Sequence, residues 1–229
     1  NAIEGVCEYK ARAGVCTWLN SVFWVKKIDE NKYAKIVNLG NSGKKKLKEV
    51  ETEIEKELIF RLLRARNLKD FEPVIENHIV VPQSKNELSK PISEIEMQKS
   101  YPLTYNFFLN FKDELLERSG YKKFLTNQPF YGLYNIGPYT LAPIKLGWQF
   151  VSKNFQVHLI DRAEDIIPDL NVMFIPLTDM DEAYYLHALL NSKYAKEKIE
   201  SSSNWTFPSG SIQKIYLEKF DIKNDLHSK

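Results

Sequence analysis

Residues 93–120, SEIEMQKSYPLTYNFFLNFKDELLERSG, form the clearest helical stretch of the chain and lie between two strand-rich stretches. Ser93 and Glu96 have the spacing of a capping box, in which each side chain accepts a hydrogen bond from the other residue's backbone N–H. Pro102 predicts a kink or a division into two helices, and Gly120 predicts the helix end. One face carries large apolar side chains at intervals of four residues: Phe107, Phe111 and Leu115. These features predict a helical stretch over 94–118 that packs as a scaffold beside a sheet.

Apolar, β-branched and aromatic runs on either side of this stretch predict β-strands. The strands lie at Val22–Val25, Tyr33–Val37, His78–Val81, Leu146–Val151, Gln156–Ile160 and Val172–Ile175, with another near Ile215–Leu217. Two further helices are predicted, one at about residues 51–64, where Ile54, Leu58 and Leu62 share a face, and one at about 180–200. Strands and helices do not alternate regularly. The order predicts an α+β fold, with a mixed or antiparallel β-sheet and packed long helices.

We expect a single domain over residues 1–229, strand-rich at 1–90, helical at 91–120, strand-rich at 121–178 and ending in a helix and tail at 179–229. The chain begins at Asn1 rather than Met, so we expect it to be part of a longer protein. It has no apolar run of about 18 residues and no signal-peptide pattern. Cys7 and Cys16 lack a CxxC partner, which favours reduced thiols. Together these features predict a cytoplasmic protein with no membrane partner.

Charge is unevenly distributed along the chain, although the net charge is only +2. Residues 44–69 carry nine Lys or Arg against five Glu, residues 121–160 carry four lysines, no acid and nine aromatic residues, and residues 161–200 carry nine acids against four bases. Such segregation predicts one positive and one negative surface. A basic surface rich in aromatic residues suits a nucleic acid, because lysines neutralise phosphates while aromatic and amide groups reach bases. Lysines that only solvate a sheet edge, with the aromatic residues in the core, are the alternative.

Three stretches approach catalytic motifs without completing them. Gly40–Lys45 is spaced too tightly for a phosphate-binding P-loop and has Lys45 where Ser or Thr would bind magnesium, which favours a polar turn. Asn127–Phe130 is similar to the Asn-Pro-Pro-Tyr loop of adenine methyltransferases, but Gln128 replaces the first proline. Pro168-Asp169 is not followed by an acid and a lysine at the spacing of a nuclease metal site. We therefore expect no catalytic residues, metal site or cofactor site in this chain.

Several segments, in order along the chain, match the sequence pattern of one known family. They are Glu8–Gly14 with Asn20–Val25, Leu62–Lys69, Tyr101–Tyr121, Pro129–Lys145 and Ala188–Ser192. In this order they resemble the C-terminal recognition region of adenine-specific DNA methyltransferases, including the TaqI-like and type IIG enzymes of restriction–modification systems. The chain departs from that pattern at Ala65, where Gly is usual, at Asn67, where Asp is usual, and at Gln149, where Arg is usual.

The resemblance implies a DNA target-recognition domain without catalytic activity of its own. A separate N-terminal methyltransferase domain of the same chain would bind S-adenosylmethionine and methylate the N6 atom of adenine. The expected partners are double-stranded DNA and that domain. The alternative is a protein-interaction domain, whose acidic residues 161–200 would dock a basic methyltransferase or translocase subunit.

The window 131–149 is the stretch most suited to face DNA, because it has no acid and its glycines allow close backbone approach. The amides of Asn135 and Gln149 match the major-groove edge of adenine, and Lys145 suits a phosphate or guanine. Trp148, in an apolar strand, is expected in the core. The three lysines after Gly43 are expected to contact phosphates without reading sequence. The complete set of predicted DNA-binding residues is Lys44, Lys45, Lys46, Tyr134, Asn135, Tyr139, Lys145 and Gln149.

Overall fold

The computed structural model describes residues 7–69, 73–84, 87–201, 203–221 and 223. The chain divides into two compact units. The first unit comprises the described residues of Asn1–Gly14, Leu63–Val74 and Tyr139–Lys229, and the second comprises those of Val15–Leu62 and Ile75–Pro138. In both units helices and antiparallel strands combine, which confirms the predicted α+β class.

The second unit contains an antiparallel sheet. Its strands, in chain order, are β2 (Trp24–Glu30), β3 (Ala34–Asn38), β4 (Glu51–Ile54), β5 (Ile59–Leu63) and β6 (His78–Val80), while β1 (Arg12–Ala13) belongs to the first unit. Their spatial order is β4-β3-β2-β6-β5. The predicted hairpin is confirmed as the β2–β3 pair, with a register shift between Lys27 and Asp29. A short helix, α1 (Asn20–Phe23), occupies the first half of the strand predicted at Val22–Val25.

The helix predicted at 51–64 is wrong. Those residues form β4, a 3-10 turn at Lys56–Leu58, and β5. Pairing with β3 places Ile54 opposite Ala34, and both side chains are buried. Glu55, also buried, accepts hydrogen bonds from the backbone N–H groups of Leu103 and Thr104, at 3.0 and 2.8 Å. Cross-strand burial and this buried carboxylate therefore outweigh the local helical spacing.

Four short helices follow in the second unit: α2 (Glu94–Ser100), α3 (Pro102–Leu109), α4 (Lys112–Glu117) and α5 (Ser119–Phe124). The predicted start is confirmed, since Ser93 accepts a hydrogen bond from the backbone N–H of Glu96 at 3.2 Å. The division at Pro102 is also confirmed, with Pro102 as the first residue of α3. The predicted stop at Gly120 is wrong, because α5 runs through it. Phe111 is buried, as the scaffold interpretation requires.

The first unit has a four-stranded antiparallel sheet and two longer helices. The sheet order is β1-β10-β7-β8, with β7 at Ile144–Gln149, β8 at His158–Ile160 and β10 at Val172–Leu177. The short strand β9 spans Ile166–Pro168. The helix predicted at 180–200 is divided into α6 (Met180–Asn191) and α7 (Lys193–Glu200), because Ser192 is extended and caps α7. The remaining 3-10 turns lie at Ala65–Asn67, Pro138–Leu141 and Ser209–Lys214.

One apolar core holds the first unit together. Trp148 is fully buried in it, as the sequence predicts, and its indole N–H donates to the carbonyl oxygen of Phe207 at 2.9 Å. Leu186 and Leu190 of α6 and Ile199 of α7 pack into the same core. Around Ile215–Leu217 the described backbone pairing is a bridge between Leu217 and Cys7, and the described residues there do not form the predicted strand. Among the described residues no helix is long and apolar enough to cross a membrane.

Candidate nucleic-acid interface

The predicted phosphate-contacting lysines lie on a loop of the second unit, here called the lysine loop (residues 39–50). Lys44, Lys45 and Lys46 are exposed. The buried Asn38 holds the base of the loop, because its side-chain amide donates to the Lys48 carbonyl at 3.0 Å and its oxygen accepts from the Val50 N–H at 2.6 Å. The loop is therefore anchored while its lysines remain in solvent, which confirms the polar turn expected for Gly40–Lys45.

Two contacts place the lysine loop beside the C-terminal end of helix α4 and the first residue of helix α1. Lys45 donates to the Glu117 carboxylate at 3.0 Å, and this hydrogen bond holds the pKa of Glu117 below its ordinary value. The position of a Cβ on Gly43 would lie 3.7 Å from the Cβ of Asn20, so the loop also approaches the segment that carries Trp18. The next turn, α5, carries exposed Lys122 and Lys123. The lysine loop and α5 therefore carry five exposed lysines, and Lys45 is paired with Glu117.

Three aromatic rings pack together at the same place, and we call Trp18, Phe124 and Tyr134 the aromatic cluster. The Phe124 and Tyr134 rings are 5.2 Å apart and nearly parallel, at 22°. Trp18 lies 5.4 Å from Tyr134 and 6.0 Å from Phe124. Phe124 is 50% exposed and Tyr134 40% exposed, so the cluster presents ring surface to solvent rather than completing a core.

The backbone around Trp18 is built to hold the indole in this position. Trp18 has a φ of 52°, a left-handed conformation that costs energy for a residue with a side chain. Its ring lies against Gly120, where an added Cβ would stand only 2.0 Å from the indole carbons, so glycine is required. The backbone N–H of Cys16 donates to the Tyr134 carbonyl at 2.9 Å. In return, the backbone N–H of Tyr134 donates to the Cys16 carbonyl at 3.2 Å. This reciprocal bridge sets Tyr134 beside Trp18.

A buried arginine ties the segments of the aromatic cluster together. The Arg118 guanidinium donates to the carbonyl oxygens of Thr17 at 2.8 Å, Phe130 at 2.6 Å and Gly132 at 3.1 Å. Its Nε donates to Leu115 at 2.9 Å. Burial lowers the pKa of Arg118 to about 10, so the side chain remains charged at neutral pH. The planar, five-donor guanidinium suits such a set of carbonyls, which a lysine could not satisfy together.

Of the window predicted to face DNA, Tyr134 and Asn135 belong to this surface. Asn135 is partly exposed and has a φ of 58°. Within the described part of the chain its side-chain amide has no hydrogen-bond partner. A partly exposed amide beside exposed aromatic rings is the arrangement that a base-reading role requires.

The other predicted residues of the window belong to the first unit and are held by internal contacts. Lys145 is fully buried, and its ammonium donates to the carbonyls of Ala142, at 2.7 Å, and Ala163. The predicted phosphate contact of Lys145 is therefore contradicted, because the ammonium would have to leave both carbonyls to reach solvent. The Gln149 amide donates to the carbonyls of Ala65 and Leu68, at 2.7 and 3.2 Å, which links strand β7 to that turn.

Tyr139 is half-buried in the first unit. Its ring lies under the Arg12 guanidinium, 4.6 Å from the ring centroid, and 6.2 Å from the Phe174 ring. These contacts give Tyr139 a packing role in the first unit. Sequence reasoning missed Trp18, Phe124, Lys122 and Lys123 as individual residues. The acid-free window 121–160 already contained three of them, whereas Trp18 reaches the site only through the fold.

No protein-family model matches the sequence, and no curated protein matches it significantly. Among solved structures, the chain is similar to the type IIL restriction-modification enzyme MmeI, whose structure was determined in complex with DNA, at 9% identity and a TM-score of 0.47. The match covers 78% of this chain and 20% of that one, so the chain spans about a fifth of the length of MmeI.

Proposed function

We propose that the chain is the DNA target-recognition module of an N6-adenine DNA methyltransferase of a restriction–modification system. The observation that carries the DNA-binding part is the aromatic cluster, which is exposed and has the lysines Lys122 and Lys123 beside Phe124 on helix α5. Lysines attract phosphates at any sequence, whereas side chains that reach the bases discriminate between sequences. The second unit therefore offers both kinds of group on one surface.

The finer assignment depends on the resemblance of segments between Glu8 and Ser192 to the recognition region of adenine-specific methyltransferases. In this proposal the module has no catalytic residues of its own. S-adenosylmethionine would bind to a separate methyltransferase domain of the parent protein, and methylation would take place there. Duplex DNA and that domain are the proposed partners.

DNA binding is tested by fluorescence anisotropy of the 229-residue chain with a labelled duplex at several salt concentrations. If phosphate contacts drive binding, log Kd rises linearly with log salt. The double variant Lys122→Gln/Lys123→Gln should reduce the slope by up to about two units. Lys193→Gln/Lys198→Gln, exposed lysines of α7, is the control with the same change in charge. Absence of binding at low salt would contradict the proposal and favour the protein-interaction domain.

Sequence reading is tested at Asn135 in the parent methyltransferase. Because φ at Asn135 is positive, Asn135→Gly removes the amide without the backbone strain that alanine would add. Loss of one base-reading contact costs about 1–3 kcal/mol of discrimination, so long-read methylation mapping should return a motif relaxed at one position. An unchanged motif would assign Asn135 a structural role. Gln149→Ala is the comparison, and we expect it to lower stability because the Gln149 amide bonds two carbonyls.

A further inference from the structure

We propose that the aromatic cluster holds the face of an unstacked DNA base, so that the chain prefers a locally opened duplex to an intact one. This inference rests on the proposed function, because it specifies the conformation of the DNA that the same surface binds. An intact duplex shows proteins only the edges of its bases and the sugar–phosphate backbone. A ring face can stack on a base only after that base has left its neighbours.

The geometry of the cluster supports this occupant. Phe124 and Tyr134 are stacked on each other and half in solvent, as a base-stacking platform requires. Trp18 contacts both of these rings, 5.4 Å from Tyr134 and 6.0 Å from Phe124, and lies 16° from the plane of Phe124. A leucine at position 18 would not need a glycine at position 120, because the indole ring makes the contact that leaves no room for a side chain there. The glycine therefore accommodates a flat ring, and a flat ring can stack on a base.

The positive charge beside the aromatic cluster suits the phosphates that flank an unstacked DNA base. The Lys123 ammonium lies 5.1 Å from the Phe124 ring centroid, and Lys122 is exposed on the same short helix. The sequence has no acid from Arg118 to Ile160. A base that stacks on Phe124 would take the place of the Lys123 ammonium over the ring, and its flanking phosphates would then lie near Lys122 and Lys123. Stacking rings combined with a positive groove are the features by which proteins hold unpaired strands.

The inference is tested by measuring the affinity of the full chain for three DNAs of the same sequence: a perfect duplex, a duplex with one thymine–thymine mismatch, and one strand alone. The unsubstituted 229-residue chain should bind the mismatched duplex and the single strand more tightly than the perfect duplex. Phe124→Leu and Tyr134→Leu keep an apolar side chain at each position but remove the ring face. Each should weaken binding to the two opened DNAs by about five- to 150-fold, the equivalent of one stacked base, and change perfect-duplex binding little.

Two controls accompany these variants. Tyr184→Leu removes an aromatic ring from α6 that is 58% exposed and lies outside the cluster, and it should leave all three affinities unchanged. Lys122→Gln/Lys123→Gln should weaken binding to all three DNAs alike. Photocrosslinking to the unsubstituted chain avoids any effect of substitution on folding. With 5-iodouracil at the mismatch, irradiation should crosslink the base to Trp18, Phe124 or Tyr134.

The possible outcomes separate the two proposals. If no DNA binds at low salt, the proposed function fails. If DNA binds but the leucine variants weaken all three DNAs equally, or the parent chain shows no preference for opened DNA, only the present inference is overturned. Crosslinks confined to residues outside the cluster would overturn it as well.

Discussion

At the scale of single residues, the buried polar groups decide how the candidate surface is held. Arg118 is 4% exposed and donates to carbonyls on three separate segments, so it adds side-chain hydrogen bonds to the Cys16–Tyr134 backbone bridge between two of them. Asn38 does the same at the base of the lysine loop. Each of these side chains is polar and buried, so the loss of its hydrogen-bond partners would lower the stability of the fold.

Arg118→Lys tests the arginine clamp. An ammonium keeps the charge but lacks the planar fork, so some of the carbonyls become unsatisfied. We expect the free energy of unfolding to fall by about 1–3 kcal/mol and DNA affinity to fall with it. Urea denaturation measures the first effect. An unchanged midpoint would mean that water or other donors satisfy these carbonyls.

Asp169 provides a prediction about pH. Burial raises its pKa from the ordinary 3.8 to about 6, although the Asn171 N–H and Arg64 act in the opposite direction. A carboxyl whose folded pKa is raised contributes stability that is fully present below the unfolded pKa and lost as pH rises through the folded one. Asp169→Asn should therefore gain stability relative to the parent chain between about pH 4 and pH 6, by up to about 3 kcal/mol. Urea unfolding of both proteins across this range measures the difference, and a difference independent of pH would contradict the assignment.

At the scale of elements, helix α5 has the largest consequence for the candidate surface. Ser119-Gly120 has the composition of a helix end, yet the six residues Ser119–Phe124 are helical. Glycine is needed within this helix because the Trp18 indole lies against position 120 and leaves no room for a side chain. The glycine therefore serves close packing, and α5 presents Lys122, Lys123 and Phe124.

Gly120→Ala tests this interpretation. Alanine favours the helical backbone, but its Cβ would stand 2.0 Å from the indole carbons, so the Trp18 ring must move. We expect weaker DNA binding, although no ring or charge has been removed. Gly210→Ala is the matched control, because no atom lies within 4 Å of its added Cβ. Equal DNA affinity in the two variants would show that the position of Trp18 does not matter for binding.

At the scale of the whole molecule, the uneven charge of the sequence appears in both units. In the second unit Lys44, Lys45 and Lys46 extend from an anchored loop into solvent. In the first unit, Asp179 caps helix α6, and Asp181 and Glu182 lie in its first turn. The net charge of +2 therefore conceals a locally positive surface, and binding to DNA should depend on where charge is removed as well as on how much.

Lys44→Gln/Lys45→Gln/Lys46→Gln tests the lysine loop. If the three ammonium groups contact phosphates, the slope of log Kd against log salt should fall by up to about three units, for all duplex sequences alike. Lys193→Gln/Lys196→Gln/Lys198→Gln removes the same charge from α7 and should change the slope much less. A loss confined to one DNA sequence would assign these lysines a base-reading role instead.

The sequence by itself determined the α+β class, the start of α2 at Ser93, the division at Pro102 and the burial of Trp148. These depend on local rules, namely capping, the missing proline N–H and the period of apolar residues, which act between neighbours along the chain. It also indicated the acid-free, aromatic window of residues 121–160.

Only the tertiary structure decided the secondary structure of residues 51–64, the role of Lys145 and which residues form the aromatic cluster. Residues 51–64 are strands because β3 and β6 pair with them, and pairing partners distant in sequence leave no local signal. Lys145 looks like a surface cation until two carbonyls enclose its ammonium. Trp18 meets Phe124 and Tyr134 across more than a hundred residues, through a glycine contact and an arginine clamp that no spacing in the sequence could reveal.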